Sequence, residues 1–295
     1  MKKRVFTGAA TALVTPMNSD GSVNYEKITE LVNRQISSGI DALVILGTTG
    51  ESPTINYQER DLIVQTAVKA ADKRVPIIVG AGSNDTVRAV TMGNLAKDCG
   101  ADALLMVSPF YNKTSQRGVV RHYEYIAEHI DLPIIMYNVP SRTGLNIKPE
   151  TYKEISSIEN IVAVKEANGD IEAAKRTKDL CGDELDIISG NDTDIYEMLK
   201  LGGIGVISVL SNILPKETHN ICQAFFDGDM KKSEQLQEYY LPFINALFAD
   251  VNPIPVKEAM NMLGENVGPL RLPLVETTDE VRDLLRKEMK KIDLL

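Results

Sequence analysis

Residues Ile161–Ala167 read IVAVKEA, a run of four apolar residues that ends abruptly in a lysine and a glutamate. Such a run, rich in β-branched residues, predicts a buried β-strand. A strand that is apolar on both faces is typical of a parallel sheet covered by helices, where reactive side chains gather at the carboxyl ends of the strands. Burial eases deprotonation of an ammonium, so Lys165 is a candidate to attack a carbonyl as a free amine. The alternative is a structural ion pair between Lys165 and Glu166.

Seven further apolar runs alternate with amphipathic segments, and this pattern predicts repeated strand–helix units. The first lies within residues 6–15 and is followed by helical spacing across Tyr25–Ser38. Eight units predict an α/β fold of the TIM (β/α)8 class. An open doubly wound sheet is the alternative, but no glycine fingerprint follows the first strand. The other six runs are Ala42–Leu46, Pro76–Val79, Ala103–Val107, Pro133–Met136, Leu185–Ile188 and Gly205–Val209.

Strand signals stop after Gly228. We therefore expect residues 1–228 to form the barrel with the active site, and residues 229–295 to form a C-terminal helical appendage. Asn252–Lys257 is predicted to be an extended connector, and Lys257 a surface charge in a first helical turn. The predicted appendage helices are Met230–Ala249, Pro255–Leu263 and Thr278–Leu295.

Composition and charge argue against several classes of protein, including nucleic-acid-binding, membrane-binding and metal-binding proteins. The 295 residues are 43% hydrophobic and 25% charged, which is ordinary for a globular protein. A net charge of -9 repels polyanions, so neither nucleic acid nor an anionic membrane is an expected partner. The basic N-terminus lacks the apolar core of a signal peptide, which predicts a cytoplasmic protein. The three cysteines and three histidines lack ligand spacing, so no metal site is expected.

Polar residues follow several predicted strands, and the barrel would bring them to one mouth. In the Gly47–Ser52 loop, two glycines bracket Thr48 and Thr49, which suits either carboxylate binding or a tight turn that caps the next helix. Tyr137 could relay a proton or could be a buried ring with a satisfied hydroxyl. Arg142 could bind a carboxylate with its planar fork or could be solvated.

Four motifs together resemble the dihydrodipicolinate synthase family, also called the 4-hydroxy-tetrahydrodipicolinate synthases, among the pyruvate-dependent class I aldolases. The likeness covers essentially the whole chain. The arginine in the second motif is the discriminating feature, because it is typical of the synthases and usually absent from sialic-acid lyases. The motifs are GTTGE at 47–51, YNVPSRTG at 137–144, VKEA at 164–167 and NPIPVK at 252–257.

The resemblance implies a role for four catalytic residues. Lys165 would form an imine with pyruvate, and no metal or organic cofactor would be needed. Thr48, Tyr137 and Tyr111 would form a proton relay. In the family the residue that matches Tyr111 reaches the neighbouring subunit's site, so the resemblance implies a homo-oligomer, expected to be a tetramer built as a dimer of dimers.

The resemblance also implies how the substrates bind. Thr49, together with Thr48, would hold the pyruvate carboxylate, with backbone groups of Gly190 and Ile207 nearby. Arg142 would receive the carboxylate of L-aspartate 4-semialdehyde. The implied reaction belongs to lysine and diaminopimelate biosynthesis.

Two other functions are weighed against this one. A pyruvate-dependent sugar-acid aldolase, such as an N-acetylneuraminate lyase or a 2-keto-3-deoxy acid aldolase, is disfavoured by Arg142. A non-catalytic barrel that senses a keto acid is disfavoured by the complete set of lysine, tyrosines and threonine.

Regulation is where the sequence departs from part of the family. Lysine-inhibited members bind the end product with a glutamate, a tyrosine and histidines, among other residues. The matching positions here are Arg88 for the glutamate, Phe110 for the tyrosine, and Tyr57 and Arg60 for the histidines, while Ser52 and Asn84 are kept. Guanidinium groups repel the lysine ammonium, so weak or absent feedback inhibition is predicted.

Overall fold

A closed barrel of eight parallel strands forms the centre of the computed structural model, which describes residues 2–295. Each strand pairs with the next along the chain, and β8 closes the barrel on β1 with Gly8 opposite Gly205. The TIM-barrel prediction is therefore confirmed. The strands are β1 Gly8–Ala12, β2 Ala42–Ile45, β3 Ile77–Gly80, β4 Ala103–Val107, β5 Ile134–Asn138, β6 Ile161–Glu166, β7 Asp186–Ser189 and β8 Gly205–Ser208.

Helices connect the strands and cover the outside of the barrel. Local sequence sets their starts: Asn56 and Glu59, for example, form a reciprocal capping box at the start of the helix Tyr57–Ala71. The helices of the barrel are α1 Tyr25–Ser37, α2 Tyr57–Ala71, α3 Thr86–Asp98, α4 Gln116–His129, α5 Pro140–Thr143, α6 Pro149–Ile155, α7 Ile171–Cys181, α8 Ile195–Lys200 and α9 Pro215–Phe226.

The strands are buried on both faces, because successive side chains alternate between two apolar layers. Val44, Ile78 and Ile135 belong to a cluster inside the barrel. Their neighbours Leu43 and Val79 belong to the larger cluster that also includes the helices. A residue and its successor on one strand therefore face different surroundings.

Three helices follow the barrel: α10 Met230–Leu247, α11 Ile254–Met262 and α12 Asp279–Lys291. Helix α10 packs against α9 and α12. The connector predicted over Asn252–Lys257 is wrong in its second part, because α11 begins at Ile254 and its first turn tolerates Pro255. Across residues 2–295 no helix has the length and apolar character needed to span a bilayer.

The predicted surface position of Lys257 is wrong. Only 1% of this residue is exposed. Its Nζ lies 2.8 Å from Oε1 of Glu51 and also donates to the carbonyl oxygens of Thr15 and Pro269. Sequence reasoning missed this because the acceptors come from distant parts of the chain.

Candidate active site

Lys165 and Tyr137 are neighbours on adjacent strands. They are paired residues of β6 and β5, and the Lys165 Nζ lies 4.5 Å from the centre of the Tyr137 ring. Both are buried, with 6% of Lys165 exposed. The alternative of an ion pair with Glu166 is wrong, because the Glu166 side chain bonds instead to Asn138 and Tyr152.

The surroundings of Lys165 make its ammonium easier to deprotonate. Burial lowers the pKa of Lys165 to about 8, with the Asp192 charge opposing the shift and the Arg142 charge adding to it. Asp192 is itself buried, and its Oδ2 accepts hydrogen bonds from the backbone N–H groups of Val209 and Leu210 at 2.9 Å. Sequence reasoning missed Asp192, since the loop after β7 lacks a distinctive motif.

Tyr137 keeps its proton at neutral pH. Burial raises the pKa of Tyr137, while the Arg142 charge and the nearby Thr48 hydroxyl oppose that shift. The Tyr137 hydroxyl can therefore donate a proton to a reacting atom and regain one from Thr48.

The Gly47–Ser52 loop is a tight turn, as one of its two interpretations predicts, but it does not cap helix α2, which is capped by Asn56. The N–H groups of Gly50 and Glu51 donate to the carbonyls of Gly47 and Thr48 at 3.1 Å. Gly80 allows the loop to approach β3, because a Cβ at that position would lie 2.1 Å from the Leu46 carbonyl oxygen. The turn still presents Thr48 to a cavity, so the ligand-binding interpretation survives beside it.

A residue from beyond the barrel joins the loops of Thr49 and Arg142. The Asn252 Nδ2 donates to the Thr49 Oγ1 at 3.0 Å, and the Arg142 Nη2 donates to the Asn252 carbonyl oxygen at 3.0 Å. The sequence marks Asn252 only as part of the NPIPVK motif and does not predict its contact with the site. Its contact with Thr49 spans 203 positions of the chain, which no local pattern reveals.

A cavity of about 670 Å³ opens at the carboxyl ends of the strands. Thr48, Tyr137 and Arg142 line it, and Lys165 packs against the Tyr137 ring. The same cavity is lined by the six residues that match the lysine-binding positions of inhibited family members: Ser52, Tyr57, Arg60, Asn84, Arg88 and Phe110.

Five candidates lie apart from that lining: Lys165 and Thr49, both of them buried, and Gly190, Ile207 and Tyr111. Gly190 follows β7 and donates its N–H to the Glu166 carbonyl oxygen at 2.7 Å, and Ile207 is buried within β8. Tyr111 is 91% exposed and has a left-handed backbone with φ of 65°. Within one chain, Tyr111 therefore does not join the buried Tyr137 and the half-buried Thr48.

Known proteins similar to this chain share its full length. Residues 5–292 match the model of the dihydrodipicolinate synthetase family. The chain is 49% identical to the 4-hydroxy-tetrahydrodipicolinate synthase of Lachnoclostridium phytofermentans over 292 residues, which is 99% of each chain. It is 46% identical to that of Acetivibrio thermocellus over 295 residues, covering both chains completely.

Two solved structures extend the similarity to the fold. The dihydrodipicolinate synthase of Thermotoga maritima superposes with a TM-score of 0.96 at 42% identity, covering 99% of this chain and 100% of that one. The enzyme of Cyanidioschyzon merolae, solved with lysine bound, has a TM-score of 0.96 at 36% identity with the same coverage.

Proposed function

The chain belongs to the dihydrodipicolinate synthetase family and acts as a 4-hydroxy-tetrahydrodipicolinate synthase, a lyase of the aldolase type, and we propose that it works through an imine between pyruvate and Lys165. The observation that carries this proposal is the buried contact of Lys165 with Tyr137, at a position where burial lowers the pKa of the amine to about 8. The sugar-acid aldolase alternative is disfavoured by the relatives, which are named as synthases over their full length.

The first half-reaction joins pyruvate to the protein. The neutral Lys165 amine attacks the keto carbon, and loss of water gives the imine. Tyr137 and Thr48 carry protons to the departing oxygen and away from the nitrogen. Thr48 and Thr49 hold the pyruvate carboxylate, near backbone groups of Gly190 and Ile207. The protonated imine then accepts electrons as the methyl group loses a proton, which gives an enamine.

The second half-reaction uses L-aspartate 4-semialdehyde. The enamine carbon attacks the aldehyde and forms a carbon–carbon bond, while the aldehyde oxygen takes up a proton. The substrate amine next attacks the imine carbon, which closes the ring and releases the Lys165 amine. Arg142 lines the cavity and supplies the positive charge for the semialdehyde carboxylate.

Pyruvate and borohydride test the central step. Borohydride reduces an imine to a stable secondary amine, so peptide mass mapping should find the added mass on Lys165. Lys165→Ala should abolish the label, and the peptide that contains Lys257 should carry no added mass in either protein, because Lys257 is engaged with Glu51. A label on Lys257, or none, would overturn the proposed mechanism.

We also infer that the working enzyme is a homo-oligomer in the cytoplasm, with a dimer as its minimal active unit and a dimer of dimers as the expected assembly. The exposure of Tyr111 supports this inference, since an exposed ring can complete a site in another subunit. Mixing Lys165→Ala with Tyr111→Phe subunits should restore activity beyond the sum of the separate variants. Simple additivity would show that Tyr111 does not act across subunits.

A further inference from the structure

The residues that follow Tyr137 and Lys165 form a second pair on the outer face of the barrel wall. Asn138 and Glu166 are partners in the register of β5 and β6, directly after the Tyr137–Lys165 pair. Because side chains alternate along a strand, the second pair faces away from the first. Asn138 is fully buried and Glu166 is 5% exposed.

Neutral donors surround the Glu166 carboxylate. The Asn138 Nδ2 donates to Oε1 and Oε2 at 2.9 and 3.1 Å, and the Tyr152 hydroxyl donates to Oε2 at 2.8 Å. The backbone N–H of Asn168 donates to Oε1 at 3.0 Å. Burial raises the pKa of Glu166 to about 7, with these hydrogen bonds opposing the shift. A carboxylate held in this way fixes the direction of each donor.

Asn138 also connects this cluster to the loop that follows Arg142. The Asn138 Nδ2 also donates to the Asn146 Oδ1 at 2.8 Å, and the Asn138 Oδ1 accepts from the Ile147 N–H at 3.2 Å. Helix α6, strands β5 and β6 and this loop therefore meet at one buried carboxylate.

We propose that Glu166, Asn138 and Tyr152, here called the outer cluster, are positioning residues that hold Lys165 and Tyr137 in register from behind the barrel wall. The inference rests on the proposed roles of Lys165 and Tyr137. The outer cluster touches no substrate and acts only by setting the distance between the amine and the hydroxyl that serves it. Small misplacements of reacting groups are costly in rate, so the cluster should govern turnover more than pyruvate affinity.

Tyr152→Phe is the sharpest test, because it removes one hydroxyl and leaves the ring in place. We expect a decrease in kcat of about tenfold or more with little change in the KM for pyruvate. In a protein that already carries Tyr137→Phe, Tyr152→Phe should leave kcat almost unchanged, because the hydroxyl that Tyr152 positions is already gone. Ser233→Ala is the matched control: it removes a buried hydroxyl that donates to the Ile221 carbonyl between α9 and α10.

Glu166→Gln is a second test, because the amide replaces one accepting oxygen by an NH2 donor that faces the donors of Asn138 and Tyr152, and it should lower kcat further. If Glu166→Gln does not fold, the effect of Tyr152→Phe on kcat, with and without Tyr137→Phe, still tests the proposal. An unchanged kcat in Tyr152→Phe, or an equal fractional loss in both backgrounds, would overturn the outer cluster as a positioning device. Borohydride labelling of Lys165 in the unmodified protein separates this failure from a failure of the imine mechanism.

Discussion

Lys257 and Glu51 form a buried ion pair, with Nζ and Oε1 2.8 Å apart and side-chain exposures of 2% and 0%. Glu51 also accepts the backbone N–H of Arg271 through its Oε2 at 2.9 Å. Glu51 closes the turn that begins at Gly47, and Asn252 holds Thr49 within that turn. The segment after the barrel therefore anchors the proposed carboxylate-binding loop at two points.

Breaking this ion pair should destabilise the protein. Lys257→Met leaves the Glu51 carboxylate buried without its cation, so the free energy of unfolding should fall by about 3–5 kcal/mol in denaturant titrations. Lys200→Met is the matched control, because it removes an exposed pair with Glu197 and should cost about 1 kcal/mol or less. A loss at Lys257 no greater than that of the control would show that the pair adds nothing to stability.

The pH dependence of imine trapping should follow the Lys165 amine. With a pKa of about 8, roughly one tenth of the amine is neutral at pH 7, and the trapping rate should rise through pH 8 and then level off. Arg142→Ala removes a charge that lowers this pKa, so its curve should move to higher pH, whereas Asp192→Asn should move the curve to lower pH. Arg142→Lys keeps the charge and should leave the midpoint in place. Shifts of the same sign in the Ala and Asn variants would contradict this electrostatic account.

Tyr137→Phe should fold normally and turn over slowly. Only one hydroxyl is lost, and a general acid–base group contributes about 10²- to 10⁴-fold to the rate. Steady-state kcat and a thermal unfolding curve provide the two measurements. Near-normal turnover would remove Tyr137 from the proton relay.

Arg142→Ala should separate the two substrates. At a pH above the trapping midpoint of both the unmodified protein and the variant, imine formation with pyruvate should be largely retained. Use of the semialdehyde should fall strongly, because a charge-assisted contact is lost at that substrate alone. Borohydride trapping and the full condensation assay measure the two steps separately. Equal damage to both would indicate that Arg142 acts mainly through its hydrogen bond to Asn252.

Feedback by lysine should be weak or absent. Arg60 is buried and donates to the Ser52 hydroxyl at 2.8 Å, and Arg88 lies over the Tyr57 ring, so two guanidinium groups face the cavity where an ammonium would bind. Millimolar L-lysine at saturating pyruvate should leave the rate unchanged. Arg88→Glu should gain inhibition, and Arg88→Gln should gain less. Strong inhibition of the unmodified protein would show that the pocket tolerates both arginines.

The sequence by itself determined the barrel and its reactive strand. Hydrophobic periodicity and helix-start signals are local, so all eight strands and the three C-terminal helices could be predicted to within a few residues. The position of Lys165 near the end of an apolar strand could also be predicted, because the apolar run before it is local in the sequence.

Only the tertiary structure decided which charges are buried and what they contact. Lys257 looks like a surface lysine from its neighbours in sequence, yet its partner Glu51 lies 206 positions away. The opposite faces of Lys165 and Glu166, and the exposure of Tyr111, likewise follow from how the strands close into a barrel. Desolvation and hydrogen bonding depend on residues that folding brings together, and local sequence does not encode those distances.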